Sequence, residues 1–446
     1  PARLKRMQGR FGFVGRLGFA FIRSRILHTG RLDEVEHYSG RSPRRAGNPS
    51  ATAGRRSQEW LRAMVEQWPH KVLLPQLSPP RVNRSQEIDL SQNDSPRLER
   101  NNFDLLRLSF AGTVCLVHAY ELSGFRELSV IADALSSQVA VKGFFVVSGF
   151  LIFMSFERSA SLASYAKKRV RRIYPAYFTV VMLCAMGLVA VSTQSAGEYF
   201  SQAWVRYVLA NLAFLNFVQP TLPGVFEANR MATVIGALWT LKVEVMFYVA
   251  VPAFVWLFRK FGHLRMLALF YCLSVAYAEL MAFAAARSGL PIYLELGRQL
   301  PGQLSYFLSG ALLYYFLPLF VRRVRILLPA AALVLWVNGF VPLSVLEPVS
   351  LAIMVVFFGL FLYLGNFGKR GDFSYGVYIV HFPIIQLLLH TGWLDERPWL
   401  FLLTVVLLTA AGGAAMWHLV EKRFLARSSH YIAAVSVSEA PGSAAL

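Results

Sequence analysis

The sequence predicts an all-α fold: a polytopic transmembrane bundle of about ten helices, preceded by a disordered basic N-terminal tail. Three observations predict it. Hydrophobic residues make up 55% of the 446 positions, and mean hydropathy is +0.45, too apolar for a water-soluble domain of this length. Beyond residue 102 the apolar runs approach the ~20 residues that a helix needs to cross a bilayer. No strand-like alternation accompanies them, so a helical bundle is favoured over a closed barrel.

The tail, residues 1–101, is rich in Arg, Ser and Pro and has no sustained helical period. Its apolar patch from Phe11 to Ile26 is broken by Arg16 and Arg23 and is followed by no small-residue cleavage signature. The expectation is disorder with a basic amphipathic piece on the membrane surface. The chain opens on Pro1 rather than Met, which makes the tail a candidate fragment or over-extended translation. The bundle, 102–425, divides into ten candidate spans near 104–122, 138–156, 174–192, 232–258, 266–286, 300–317, 326–341, 349–365, 374–389 and 399–419. The apolar segment 201–217 reads as an interfacial or re-entrant helix. A short polar tail, 426–446, follows.

Charge sets the orientation. The formal net charge of +20 raises nucleic acid as a partner, but much of it lies in the tail and in short loops. With the N-terminus in the cytoplasm, the inside loops carry seventeen Lys and Arg against six outside. That bias obeys the positive-inside rule and puts both termini in the cytoplasm. The densest cluster is Lys167, Lys168, Arg169, Arg171 and Arg172, wedged between the second and third spans. The three cysteines, Cys115, Cys184 and Cys272, all fall in proposed spans, so no disulfide framework and no metal site are expected.

Five constellations could carry chemistry. His118 is an isolated ionisable group in the first span, and such groups usually face a bundle interior. Arg107 lies eleven residues earlier, close to three turns, so the two share a helix face about 16 Å apart. Imidazole can serve as base or nucleophile, and the plainer reading is an interhelical hydrogen bond. Arg169 and Arg172 share a face, and their guanidinium forks suit phosphate. The plainer reading there is a positive loop, but Ile173, Tyr174 and Pro175 open the next span at once and set the cations at the headgroup plane.

Glu244 enters the fourth span in Trp239-Thr240-Leu241-Lys242-Val243-Glu244. It shares a face with Phe247 and Tyr248 but not with Lys242. It could orient a histidine or an acceptor hydroxyl, or simply bridge helices. His381, within Ser374 to Pro383, is a second intramembrane imidazole, in a helix that Pro383 loosens. In the second span, Gly143 to Phe150 supplies small residues for close helix approach, with Ser148 read as packing.

Together these segments resemble the membrane-bound acyltransferase-3 family of bacterial sugar O-acyltransferases. The resemblance rests on Asn102 to Arg107 with His118, Gly143 to Ile152, Arg169-x-x-Arg172-Ile173-x-Pro175, Trp239 to Tyr248, and Ser374 to Pro383, in the family's order. It implies transfer of an acyl group, usually acetyl, from cytoplasmic acyl-CoA to a hydroxyl of a cell-surface polysaccharide or its lipid-linked precursor. It also implies residence in the bacterial inner membrane.

Carried over, His118 is the catalytic histidine, with Glu244 and His381 as further catalytic candidates. Arg169 and Arg172, with Arg107, hold the CoA. Lys242 and Thr240 depart from the family's usual residues. The expected partners are acyl-CoA as co-substrate, a glycan or lipid-linked sugar acceptor and membrane lipids, with no tightly bound cofactor and no nucleic acid. A secondary transporter or flippase using the same buried charges is the rival class, and a CoA-binding protein with a dead site is a third.

Overall fold

The computed structural model describes residues 100–365 and 367–425, together with Leu98. The predicted tails, 1–101 and 426–446, therefore lie almost wholly outside the described residues. Among the described residues every regular element is a helix. The principal ones are α1 Phe103–Ser123, α2 Ser137–Glu157, α3 Leu162–Gly187 and α4 Gln202–Leu212. Then come α5 Leu238–Phe261, α6 His263–Ser288, α7 Leu300–Tyr315 and α8 Leu317–Asn338. The last are α9 Glu347–Leu360, α10 Ser374–Thr391 and α11 Pro398–Met416.

Local signals fix the helix ends. The Ser136 and Ser161 hydroxyls accept the amides of Val139 and Ser164 at the starts of α2 and α3. Gly124, Gly289 and Gly392 close α1, α6 and α10 in the left-handed conformation, at φ 69°, 68° and 66°.

A helix stands at each of the ten predicted spans, with four changes of boundary. The third begins at Leu162 rather than 174, so Lys167, Lys168, Arg169, Arg171 and Arg172, expected between two spans, lie within the first turns of α3. The fourth begins at Leu238 rather than 232, the eighth ends at Leu360, and the seventh begins at Leu317. Three of the seventeen inside-loop cations of the charge count, Arg322, Arg323 and Arg325, thus lie within α8. Among the described residues, length and composition qualify six helical segments as membrane crossings, or seven if the bent pair Ile292–Tyr315 and Leu317–Asn338 is one span. The count of ten is therefore not carried by length and apolarity alone: α9 and α10 are too short or too polar, and α7 and α8 meet at a bend of 107°.

Glycines let the central helices touch backbone to backbone. A Cβ at Gly149 of α2 would collide with the carbonyl of Phe307 on α7, and one at Gly310 of α7 with the carbonyl of Val146. Gly376 of α10 packs against Gly413 of α11 in the same way.

Contact registers give the directions. Phe103 meets Phe150 and Phe110 meets Gly143, so α1 and α2 are antiparallel. Lys142 lies over the Tyr306 ring and Tyr315 bonds Glu157, so α2 and α7 are parallel. Lys142 also pairs with Glu347 at 2.6 Å, a charged contact tying α2 to the first residue of α9.

Candidate active site

The two predicted histidines meet. His118 Nδ1 lies 2.9 Å from His381 Nε2, with the rings stacked at 5.2 Å between centroids. His381 is fully buried, whereas His118 keeps part of its surface open. His381 Nδ1 faces the carbonyl of Val377 at 3.3 Å, one turn back on α10. A carbonyl only accepts, so that nitrogen carries the proton. With both rings neutral, His381 Nε2 then accepts from His118 Nδ1–H, and His118 Nε2 is left with a free lone pair. The pair thus sets one tautomer and one basic nitrogen. Phe382 closes edge-on over His118 at 5.6 Å and packs beside His381.

Glu244 is not hydrogen-bonded to either histidine. Its Oε1 accepts from Tyr248 Oη at 2.6 Å and from Ser148 Oγ at 3.2 Å, so the shared face with Tyr248 is real and Ser148 is a partner as well as a packing residue. The link from α5 to the histidines runs one turn earlier. Thr240 Oγ1 and Tyr378 Oη are 2.6 Å apart, and the Tyr378 ring packs on His381 at 5.7 Å.

The arginines gather at the other end of α1, and they are not equivalent. Arg172 pairs with Asp372 and, at 3.2 Å, with Glu421. Arg107 pairs with Asp104 and, at 2.9 Å, with Asp372. Asp372 also accepts the Ser374 amide at 3.1 Å and its hydroxyl, holding the first turn of α10. Burial alone would push the Asp372 carboxyl up, but Arg107 and Arg172 overcome it and hold the carboxyl low, at about 2.

Glu421 is delivered to the cluster by a π-helical turn, Trp417–Glu421, that continues α11. Gly371, at φ 116°, allows the preceding loop to pass against the Trp417 indole. Arg169 differs: among the described residues it has no carboxylate partner. Its guanidinium donates to Ser155 Oγ at 3.0 Å and lies over the rings of Tyr248 and Tyr165 at 5.7 and 6.0 Å. Lys167, Lys168 and Arg171 beside it are exposed.

Arg107 and His118 both find partners at α10, one at Asp372 just before it and one at His381 within it. This bears out their common face and makes α1 and α10 parallel neighbours. The site therefore has two stations on one helix pair, a basic nitrogen at one and a balanced charge cluster at the other. Sequence reading missed Asp372, Glu421, Tyr378 and Tyr248 as site members. A lone acid two residues before Ser374 was the available signal for Asp372, as a side chain that can accept the first amide of α10. Among the described residues no group of His, Cys, Asp and Glu could hold a metal ion.

A family model described as "Acyltransferase domain" (acyltransferase 3) matches residues 100–418. The chain is similar to nodulation protein 10 of Rhizobium leguminosarum bv. viciae, 28% identical over 74% of this chain and 94% of that relative. It is also similar to the O-acetyl transferase of Shigella phage Sf6, 29% identical over 74% of this chain and 97% of the relative. No solved structure matches.

Proposed function

Because the chain belongs to the acyltransferase-3 family, a multi-pass membrane protein with O-acyltransferase activity, we propose that it moves acetyl from cytoplasmic acetyl-CoA to a hydroxyl of a cell-surface polysaccharide or its lipid-linked precursor. The observation that carries the proposal is the His118–His381 pair, which leaves His118 Nε2 as a free base beside a partly open surface. A sugar hydroxyl is a poor nucleophile at neutral pH, so transfer needs such a base.

In this reading His118 Nε2 takes the hydroxyl proton as the oxygen bonds to the thioester carbonyl carbon. The tetrahedral intermediate then collapses, the carbon–sulfur bond breaks, and the CoA sulfur leaves with the proton that His118 held. His381 keeps the tautomer throughout and stabilises the imidazolium through the shared hydrogen bond.

The CoA phosphates would lie at the arginine end. Arg169 makes the direct grip, supported by Lys168 and Arg171, since its charge is not already matched by an acid. Arg107 and Arg172 shape that end through Asp372 and meet phosphate only in exchange for their carboxylates. The distance from Arg107 to His118, about 16 Å along α1, is one that an extended pantetheine arm spans.

Ten crossings, both termini in the cytoplasm and an inner-membrane location complete the proposal. The parallel course of α1 with α10 and of α2 with α7 supports this count, because it requires an even number of steps between each pair's directions. The test is transfer of label from radiolabelled acetyl-CoA into membrane glycan. Wild type is expected to label the glycan and His118→Ala is not; equal labelling by both would remove His118 from the chemistry.

A further inference from the structure

We propose that the connection between α4 and α5, residues 213–237, carries the acceptor site: a pocket of about 430 Å³ lined by Ser201, Gln219, Thr221, Pro223, Val225 and Glu227, among others, that binds a neutral carbohydrate. The inference rests on the acyl-transfer reading above and adds where the acceptor sits and which side chains select it.

The segment is built rather than loose. On one side Thr193 donates its amide to the Gly224 carbonyl at 2.9 Å, and the Ser192 hydroxyl donates to the Pro223 carbonyl at 2.9 Å. On the other side the fully buried Gln386 of α10 donates to the carbonyls of Met231 and, at 2.8 Å, Thr233, and accepts from Asn229 at 3.0 Å. Val234 closes the loop on the Pro220 carbonyl at 3.0 Å. Between these ties Phe226 is fully buried at φ 61°. A bulky residue holds that left-handed conformation only where its surroundings enforce it, and such positions cluster at functional sites.

The same ties join this segment to α10, which carries His381, and to the ring that closes over His118. Gln386 is five residues beyond His381 on α10. Gly236 lies flat against the Phe382 ring, where a Cβ would sit 2.5 Å from Cζ, and Phe382 is the ring that closes over His118. The Arg230 guanidinium lies against Gly124, at the His118 end of α1 and away from the arginine cluster. The donor's phosphates and this pocket therefore belong to opposite ends of one helix pair.

The lining selects the ligand class. It contains no Lys or Arg, and among the described residues Glu227 has no hydrogen-bond or ion-pair partner. A carboxylate without a counter-cation repels phosphates and acidic groups but accepts hydroxyl protons strongly. Gln219, Thr221 and Ser201 add further donors and acceptors, while Leu222, Pro223 and Val225 offer an apolar wall. Hydroxyl edges with C–H faces are what a neutral sugar ring presents. The volume falls within the roughly 300–1,000 Å³ of small-molecule sites.

The test uses the full chain in nanodiscs, with radiolabelled acetyl-CoA and the envelope glycan extracted from its host as probe. Glu227→Gln and Thr221→Val are expected to raise the apparent KM for glycan about tenfold, the scale of a lost hydrogen bond to a charged group, with the KM for acetyl-CoA held. Glu227→Asp is expected to restore most of the loss. As a second measurement, Thr221→Cys in a Cys272→Ala background is folded first and then labelled with a bulky neutral thiol reagent, which is expected to block transfer.

A glycan KM within twofold of wild type in both variants, or full transfer after complete labelling, would overturn the acceptor site. Wild type that labels no glycan at all would instead overturn the acyl-transfer reading, and the acceptor site would fall with it.

Discussion

A histidine with one ring nitrogen already donating has a single nitrogen left for chemistry, and His381 puts His118 in that condition. Removing the base itself, in His118→Ala, should cost about 10²–10⁴-fold in transfer rate. Removing its partner, in His381→Ala, should cost less, about 10–100-fold by analogy with the partners that orient metal-bound histidines. Rates of label transfer at saturating acetyl-CoA check both. Asp372 governs the other station. Asp372→Asn removes the counter-charge that Arg107 and Arg172 share, leaves them Asp104 and Glu421, and should cost about 1.5–3 kcal/mol, read as a lowered unfolding temperature in detergent.

The sign with pH follows from the depressed carboxyl. Its folded value of about 2 lies below the ~3.9 of a free Asp. Its stabilisation is therefore full above about pH 4 and is lost as pH falls through about 2. Asp372→Asn should flatten that part of the stability profile. His118, His381 and Arg169 were legible in the sequence because a polar residue in or beside an apolar run is conspicuous. Asp372 was not, because its role depends on two arginines 265 and 200 positions away, and no spacing rule joins them.

At the scale of elements, the spans were legible because bilayer thickness imposes run length, whereas their contacts depend on tertiary approach. The small-residue signal of Gly143 to Gly149 did foretell close packing, yet only the structure shows that Gly149 and Gly310 answer each other across α2 and α7. Gly149→Ala forces these two helices apart and should cost about 1–3 kcal/mol, as overpacking does elsewhere. The measurement is the unfolding temperature of the purified variant against wild type. Boundaries failed where charge misled: Arg322, Arg323 and Arg325 read as a loop because three cations interrupt the apolar run, but α8 continues through them after its 107° turn from α7. Cations in a helix that leaves its neighbour so obliquely can reach the headgroups without a loop to carry them.

For the described bundle as a whole, the parallel and antiparallel registers amount to a topology prediction. A reporter active only in the cytoplasm, fused after residue 425, should be active. A cysteine placed at Glu227, in a Cys272→Ala background, should react with a membrane-impermeant reagent from the opposite side. A fusion that is inactive, or a cysteine reached from the cytoplasm, would reverse or break the ten-crossing assignment.

The short helix α9 adds a demand on the surrounding lipid. Its 14 residues cover about 21 Å, against a hydrocarbon layer of about 30 Å. The chain leading into it is apolar, with Phe340, Val341, Val345 and Leu346 exposed. Its backbone is partly satisfied from within: Asn338 Oδ1 accepts the Leu343 amide at 2.6 Å, the Leu346 amide bonds the Leu343 carbonyl at 2.8 Å, and Tyr271 bonds the Val345 carbonyl. Non-helical backbone can sink below the headgroups on those terms. On the ten-crossing proposal, this flank of the protein fits a thin or locally compressed bilayer. Acyl-chain length becomes a variable of the enzyme: reconstitution in longer-chain lipids should stretch the mismatch at α9, strain the Lys142–Glu347 contact at its first residue and lower stability.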